Sequence, residues 1–169
     1  RGAAHRLILI IAPRHPERGP EIAKTLRDSG WRVECRSDGD EPHSETDIYI
    51  ADTLGEMGLW YRLAPVSLVG GSLVPIGGHN PFEVAQSGAC VLSGPHVAAF
   101  AETYAEMETL GAARFVADGA DLAAKVDHLL RDDAARAKSS TAACDFIDGQ
   151  TDLLDGIATR LITALELTS

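Results

Sequence analysis

The sequence predicts an α/β fold in which a parallel sheet carries helices on both faces. Short apolar segments of strand length alternate with amphipathic segments along the chain, and glycine, proline or polar residues punctuate the apolar segments. Leu7–Ile11 is a continuous apolar run, which is typical of buried parallel strands. An all-parallel sheet requires right-handed crossovers, and ligands of such folds bind beyond the carboxyl ends of the strands.

The individual elements are predicted from apolar spacing and from capping signals. A helix over 18–29 follows the first strand, because Ile22 and Leu26 lie four residues apart and Gly30 is a typical C-terminal stop. The pattern Thr53-x-x-Glu56 predicts a capping box before a helix that carries Met57 and Leu63. The other expected strands are 31–36, 47–51, 66–69, 89–92 and 113–116, and the other expected helices are 80–88, 98–110, 121–131, 133–147 and 152–165.

Composition excludes several classes of function. With 169 residues, a net charge of −10 and a pI near 4.9, the chain lacks the basic character of a nucleic-acid-binding domain. No apolar run approaches the roughly 18 residues of a membrane span. The three cysteines form no CxxC pair, which favours buried thiols in a reducing compartment, and the histidines show no metal-ligand spacing, so no metal site is expected.

The chain is expected to form a single domain over residues 1–169, because no linker, repeat or low-complexity tract interrupts it. It begins at Arg1, without a methionine, and enters a strand almost at once. We therefore expect it to be an excised domain or an engineered fragment, whose partner half holds the catalytic groups.

The segment 69–83 carries the strongest functional signal. An apolar strand ends at Gly70-Gly71, and a second glycine pair follows at Gly77-Gly78. These four glycines let the backbone approach a ligand and expose its N–H groups. Asn80-Pro81 supply an expected N-cap and first helical residue, with Glu83 as the capping partner. A glycine loop before a helix N-terminus binds anions, so the segment predicts the phosphate and ribose site of a nucleotide-sugar enzyme.

Residues of this segment also have purely structural explanations. Glu83 either accepts hydrogen bonds from ribose hydroxyls or only complements the helix dipole, and both roles can coexist. Asn80, with the backbone of Gly77-Gly78-His79, either cradles a phosphate or only caps the helix. Ser72 either contacts phosphate or relieves the end of the strand.

Two earlier segments also follow predicted strands. Arg14 comes directly after the first strand, and a guanidinium there suits phosphate or carboxylate. His15 either donates to the same anion or closes the turn. Glu56 is explained equally well by the capping box, and Met57 by core packing. Because the carboxyl ends of parallel strands share one edge of a sheet, these segments and the glycine segment are expected to line one crevice.

Five short motifs stand in order along the chain. They are Pro13-Arg14-His15-Pro16-Glu17-Arg18, Ala51-Asp52-Thr53-Leu54-Gly55-Glu56-Met57-Gly58, Gly70-Gly71-Ser72, Gly77-Gly78-His79-Asn80-Pro81-x-Glu83 and Ser93-Gly94-Pro95-His96. Together they resemble the C-terminal half of the transferases of Kdo (3-deoxy-D-manno-octulosonic acid) in lipopolysaccharide synthesis. The resemblance covers most of the chain. It departs at Phe82 and Val84, where the family pattern has Leu and Pro, which affects helix geometry rather than chemistry.

The resemblance implies a glycosyltransferase of GT-B architecture, with two Rossmann-like domains of which this chain is the C-terminal, donor-binding one. It implies CMP-Kdo as the donor, a lipid A precursor as the acceptor, no cofactor, and a cytosine placed against the turn at Glu56-Met57. The catalytic base and the membrane anchor belong to the N-terminal part of such enzymes, which act at the cytoplasmic face of the inner membrane. This chain alone is therefore expected to be soluble and inactive, and to contain no catalytic residue.

Two alternatives stay open at this point. The chain is alternatively explained as a domain of another GT-B enzyme, such as a UDP-sugar transferase or epimerase, which a preference for uracil over cytosine would indicate. It is also explained as a non-catalytic α/β ligand-binding module whose glycine turns are only structural, which a failure to bind any nucleotide would favour.

Overall fold

The computed structural model describes residues 7–165, and this part of the chain contains two three-stranded parallel sheets and six α-helices. It divides into two compact units, the first ending at Trp60 and the second beginning at Tyr61. The α/β class with parallel strands is confirmed, although the strands form two sheets rather than one. The single-domain organisation expected from the sequence stays a prediction.

The first unit contains a sheet in the order β1-β3-β2. Its strands are β1 (Leu9–Ile11), β2 (Val33–Cys35) and β3 (Ile48–Ile50), its first helix is α1 (Gly19–Asp28), and α2 (Met57–Leu63) begins in it. Ile11, Cys35 and Ile50 lie in register, so the strands end at the same edge. Ala23 of α1 packs on one face of the sheet, and Trp60 packs on Tyr49.

The second unit contains a sheet in the order β4-β5-β6. Its strands are β4 (Val66–Val69), β5 (Cys90–Ser93) and β6 (Ala113–Phe115), and its helices are α3 (Phe82–Gln86), α4 (Ala101–Leu110), α5 (Gly119–Arg131) and α6 (Asp133–Ala164). All four residues of the central strand β5 are buried. Tyr104 and Met107 of α4 and Phe146 of α6 enclose one face of the sheet, and Leu129 of α5 packs on the other. This core fixes the loops that follow β4 and β5.

The C-terminal helix differs from its prediction. Two helices were expected, over 133–147 and 152–165, but α6 runs without interruption through 32 residues. Gly149 and Gly156 lie inside it, since an interior glycine costs only about 1 kcal/mol and no proline follows to break the helix. None of the helices in residues 7–165 combines the length and the hydropathy that a membrane span requires.

The first strand is less buried than its sequence predicts. Leu7 and Leu9 are 51% and 53% exposed, although the continuous apolar run indicates a strand covered on both faces. Among the described strands β1 pairs only with β3, so it is an edge strand of the first sheet. The apolar run indicates that a strand prefers burial, but it does not indicate whether the strand lies at the centre or the edge of a sheet. The sequence therefore overestimated the burial of β1.

The cysteines are free thiols, as their spacing predicts. Cys35 and Cys90 are buried, and burial raises the pKa of both thiols. Cys144 on α6 is only partly buried.

Candidate functional site

The segment after β1 places Arg14 and His15 on the surface of the first unit. Both side chains are exposed, and within residues 7–165 the Arg14 guanidinium has no hydrogen-bond or ion-pair partner. His15 Nδ1 lies 3.7 Å from Glu17 Oε1, and the His15 carbonyl accepts a hydrogen bond from the Arg18 N–H at 3.0 Å. His15 therefore closes the turn, while Arg14 is free to bind an anion.

The turn after β3 is held at both ends by two consecutive residues that follow β2. At one end, Ser37 donates to the Asp52 carboxylate from its N–H at 2.9 Å and from its hydroxyl at 2.7 Å. At the other end, Arg36 donates to Glu56 from Nη2 at 2.7 Å and from Nε at 3.0 Å. The Thr53 hydroxyl also donates to Glu56 Oε2. We call Arg36 and Ser37 the 36–37 clamp.

Both oxygens of the Glu56 carboxylate are therefore bonded within the protein. The Arg36 guanidinium and the Thr53 hydroxyl lower the pKa of Glu56 to about 2, and the same contact with Glu56 raises the pKa of Arg36. The predicted capping box is wrong, because α2 begins at Met57 and Thr53 bonds the Glu56 side chain instead of a backbone N–H. Met57 packs beside Trp60 and Tyr49, as its core interpretation requires.

The buried Asp52 also meets the beginning of α1. A Cβ at Gly19 would lie 2.2 Å from Asp52 Oδ2, so only glycine fits there. Asp52 is 5% exposed and accepts both hydrogen bonds from Ser37. It therefore joins the segments that follow β1, β2 and β3 at one edge of the first sheet.

In the second unit, Ser72 lies beneath the glycine segment rather than on its surface. It is 1% exposed, and its hydroxyl donates to the Val69 carbonyl at 2.5 Å. The Ser72 hydroxyl oxygen also accepts the Gly94 N–H at 2.8 Å, and the Ser72 carbonyl accepts the His96 N–H at 3.0 Å. Ser72 thus joins the loops after β4 and β5, and its burial favours this structural role over direct phosphate contact.

The glycine loop folds back on itself. The Gly78 N–H donates to the Gly71 carbonyl at 3.0 Å, and Gly71, Gly77 and Gly78 all have positive φ. A Cβ at Gly78 would also lie 3.1 Å from the His96 carbonyl oxygen. Among residues 7–165 the N–H groups of Gly77 and His79 have no acceptor, so they remain available to an anion.

Tyr104 supports this loop from below. Its hydroxyl donates to the His79 carbonyl at 3.0 Å. Burial raises the pKa of Tyr104 to about 12, so the hydroxyl keeps its proton and remains a donor.

Asn80 and Glu83 stand at the start of α3. Asn80 Oδ1 accepts the Phe82 N–H at 2.9 Å, but Pro81 is the N-cap and the regular helix starts at Phe82, so the start of the helix lies one residue later than predicted. Glu83 is exposed, and among the described residues its carboxylate has no hydrogen-bond or ion-pair partner, so the reciprocal half of the capping box is not formed. Its charge contributes to the raised pKa of the nearby Tyr61, for which burial is the larger cause. The Glu83 carboxylate is free to accept hydrogen bonds from a ligand.

Sequence reasoning missed the residues that hold these segments in place. Arg36 and Ser37, Asp52, Gly94 and Tyr104 were not among the predicted site residues. Four of these positions carried a usable signal, since Arg36, Ser37, Asp52 and Gly94 all lie within two residues of a strand end. Tyr104 carried no such signal, because an aromatic residue inside a helix ordinarily belongs to the hydrophobic core.

The chain is similar in sequence to several 3-deoxy-D-manno-octulosonic acid transferases. No family model matches the chain. It is 36% identical over 144 residues to the 3-deoxy-D-manno-octulosonic acid transferase of Bordetella pertussis, which covers 85% of this chain and 34% of that protein. It is 41% identical over 103 residues to a probable mitochondrial transferase of the same name from Arabidopsis thaliana, covering 60% and 23%. The chain spans about a third of the length of these relatives or less.

A solved structure resembles the fold closely. It is the crystal structure of the C-terminal CMP-Kdo binding domain of WaaA from Acinetobacter baumannii, with a TM-score of 0.82 and 30% sequence identity. The match covers 86% of this chain and 76% of that domain. The Rossmann-like α/β class predicted from the sequence is therefore confirmed.

Proposed function

Because the chain belongs to the family of Kdo transferases, we propose that it is the part of a glycosyltransferase that binds the donor CMP-Kdo. The observation that carries the proposal is the likeness, over 86% of the chain, to a domain described as binding CMP-Kdo. The unoccupied hydrogen-bonding groups of the glycine loop and of Glu83 support it. The chain lies within the C-terminal half of a GT-B enzyme.

The phosphate of CMP binds the turn from Gly77 to Asn80, where the N–H groups of Gly77 and His79 lack internal acceptors. Gly71 returns the loop on itself through its bond to Gly78. Glu83 accepts hydrogen bonds from the ribose hydroxyls, since its carboxylate has no partner among the described residues.

Segments of the first unit contact the negatively charged groups and the cytosine base of the donor. Arg14 offsets the negative charge of the donor, which carries both a phosphate and a carboxylate, and His15 lies beside it. The turn at Glu56-Met57 faces the cytosine through its backbone, because the Glu56 side chain is occupied by Arg36. Each of these roles is open to a binding measurement with a single variant.

The chemical step follows from the leaving group. As the glycosidic bond of CMP-Kdo breaks, negative charge grows on the CMP phosphate, and donors already oriented towards it stabilise the transition state. A carboxylate base outside this chain activates the hydroxyl of the acceptor, a lipid A precursor at the cytoplasmic face of the inner membrane. The chain alone binds the donor nucleotide but does not transfer Kdo.

Parallel titrations with CMP and with UMP, followed by NMR or calorimetry, test the proposal. We expect CMP to bind more tightly than UMP, with shifts of amide signals between Gly77 and Glu83. A preference for UMP would indicate a UDP-sugar enzyme of the same architecture. Binding of neither nucleotide would contradict donor binding by this chain.

A further inference from the structure

The turn between Asp52 and Glu56 is held at both ends by side-chain contacts. Its two acidic ends are bound by neighbouring residues, Glu56 by Arg36 and Asp52 by Ser37. Between them, Leu54 is 84% exposed and Gly55 has a φ of +83°. The clamp therefore fixes both ends of a short segment whose middle faces solvent.

The contact with Glu56 has the geometry of a rigid fork. Two guanidinium nitrogens meet the two carboxylate oxygens at 2.7 and 3.0 Å, so the pair constrains the orientation of Glu56 as well as its position. The side chains of Arg36 and Glu56 are 35% and 26% exposed, so both are partly withdrawn from solvent. Arg36 also lies 6.0 Å from the centre of the Trp60 ring, which restrains the guanidinium from a second side.

These contacts take three of the roughly four acceptor positions of the Glu56 carboxylate. One oxygen accepts from Arg36 Nη2, and the other accepts from Arg36 Nε and from Thr53. What the segment chiefly offers to a ligand is consequently its backbone and the exposed side chain of Leu54. A backbone surface discriminates only when its conformation is fixed before binding, because ordering a loose turn on binding costs affinity.

We propose that Arg36 is a positioning residue for nucleotide binding, which holds the turn 53–55 in its binding conformation through Glu56 while Ser37 fixes the other end through Asp52. The inference rests on the proposed function, since it assumes that the backbone at Glu56-Met57, where this turn ends, contacts the nucleobase. It assigns Arg36 a role in affinity without any contact with the ligand. Arg36 follows β2 and lies outside the five motifs, so the motif pattern does not reveal it.

The test is a CMP titration of the wild-type chain and of Arg36→Met, which keeps an unbranched side chain but removes the guanidinium. We expect Arg36→Met to weaken CMP binding roughly tenfold. The CMP affinity of Arg36→Lys should lie between those of the wild type and Arg36→Met, because an ammonium keeps the charge but cannot form the two parallel hydrogen bonds of a guanidinium. Lys24→Met is the matched control, since Lys24 forms an exposed pair with Asp28 on α1 at 2.6 Å, and it should leave affinity within about twofold.

A double-variant cycle separates positioning from simple stabilisation. If Arg36 acts through Glu56, Arg36→Met should cost much less affinity in a Glu56→Gln background than in the wild type. Denaturant unfolding of each variant shows that binding is measured on folded protein. Glu56→Gln also probes the contact from the other side, should Arg36→Met fail to fold.

The outcomes distinguish the two proposals. CMP binding by the wild type that is unchanged in Arg36→Met, with lower stability only, would overturn the positioning role and leave the proposed function intact. Additive losses in the cycle would also overturn it. Absence of CMP binding by the wild type would overturn both. Weaker binding that depends on Glu56, with intermediate affinity for Arg36→Lys, supports the inference.

Discussion

The Gly94 N–H donates to the buried Ser72 hydroxyl over 2.8 Å, and this bond joins the loops that follow two neighbouring strands of the second sheet. A Cβ at Gly94 would lie 2.2 Å from the Ser72 carbonyl oxygen. The same carbonyl accepts the His96 N–H at 3.0 Å. The motifs Gly70-Gly71-Ser72 and Ser93-Gly94-Pro95-His96 are therefore joined in one packed structure.

Replacement of Gly94 should destabilise the chain. Gly94→Ala places a methyl group against backbone that can move only together with both loops, so we expect the free energy of unfolding to fall by about 1–3 kcal/mol. Urea unfolding measures the effect. Gly119→Ala is the control, because Gly119 begins α5 with open space around its Cβ position, and it should change stability by less than about 1 kcal/mol. Equal effects of the two variants would contradict the close packing at Ser72.

Removal of the charge of Glu83 should weaken nucleotide binding. Glu83→Gln keeps the size of the side chain but loses charged hydrogen bonds to the ribose, so we expect CMP affinity to fall by about 1–3 kcal/mol in a calorimetric titration. Glu102→Gln is matched to it, as Glu102 is another exposed acid in the first turn of a helix. Loss of affinity in both variants would indicate a general charge effect, and loss in neither would leave Glu83 without a ligand role.

Arg14 should discriminate between ligands with and without phosphate. Arg14→Ala removes an exposed guanidinium that has no partner among the described residues, so we expect it to weaken CMP by about 1–2 kcal/mol and cytidine hardly at all. The measurement is a pair of NMR titrations with CMP and cytidine. Arg131→Ala, at an exposed arginine paired with Asp127, should affect neither ligand. Equal losses for CMP and cytidine would argue against phosphate binding by Arg14.

The Arg36–Glu56 pair should contribute stability down to unusually low pH. The pKa of Glu56 is lowered from 4.5 to about 2 in the folded chain, so its stabilisation is complete above about pH 5 and is lost as the pH falls through 2. Comparison of the wild type with Glu56→Gln isolates the contribution of Glu56 to stability, because every other carboxylate titrates in both proteins. We expect the difference in unfolding free energy to be constant from pH 7 to 5 and to shrink below pH 4.5. A difference that already shrinks between pH 7 and 5 would contradict the lowered pKa.

Much of the fold was predictable because its signals are local. The strand at Val66–Val69 was placed at its exact limits, and the other strands within a few residues, since apolar runs followed by polar or glycine residues mark them clearly. The N-cap of α3 was predicted one residue too early, at Asn80 instead of Pro81, although Asn80 does bond an N–H two residues away at the start of this helix. The limits of the C-terminal helix were not predicted correctly, since a glycine weakens a helix without having to end it.

The sequence by itself determined the α/β class, the order of strands and helices, and the segments whose residues suit a nucleotide sugar. Only the tertiary structure decided which partner each polar side chain takes. Glu56 looked like a capping residue and binds Arg36, 20 positions away, while Ser72 looked like a phosphate ligand and bonds Gly94, 22 positions away. Periodicity and capping depend on neighbours in the chain. Hydrogen bonds between loops depend on which strands lie side by side, and no local pattern in the sequence states that.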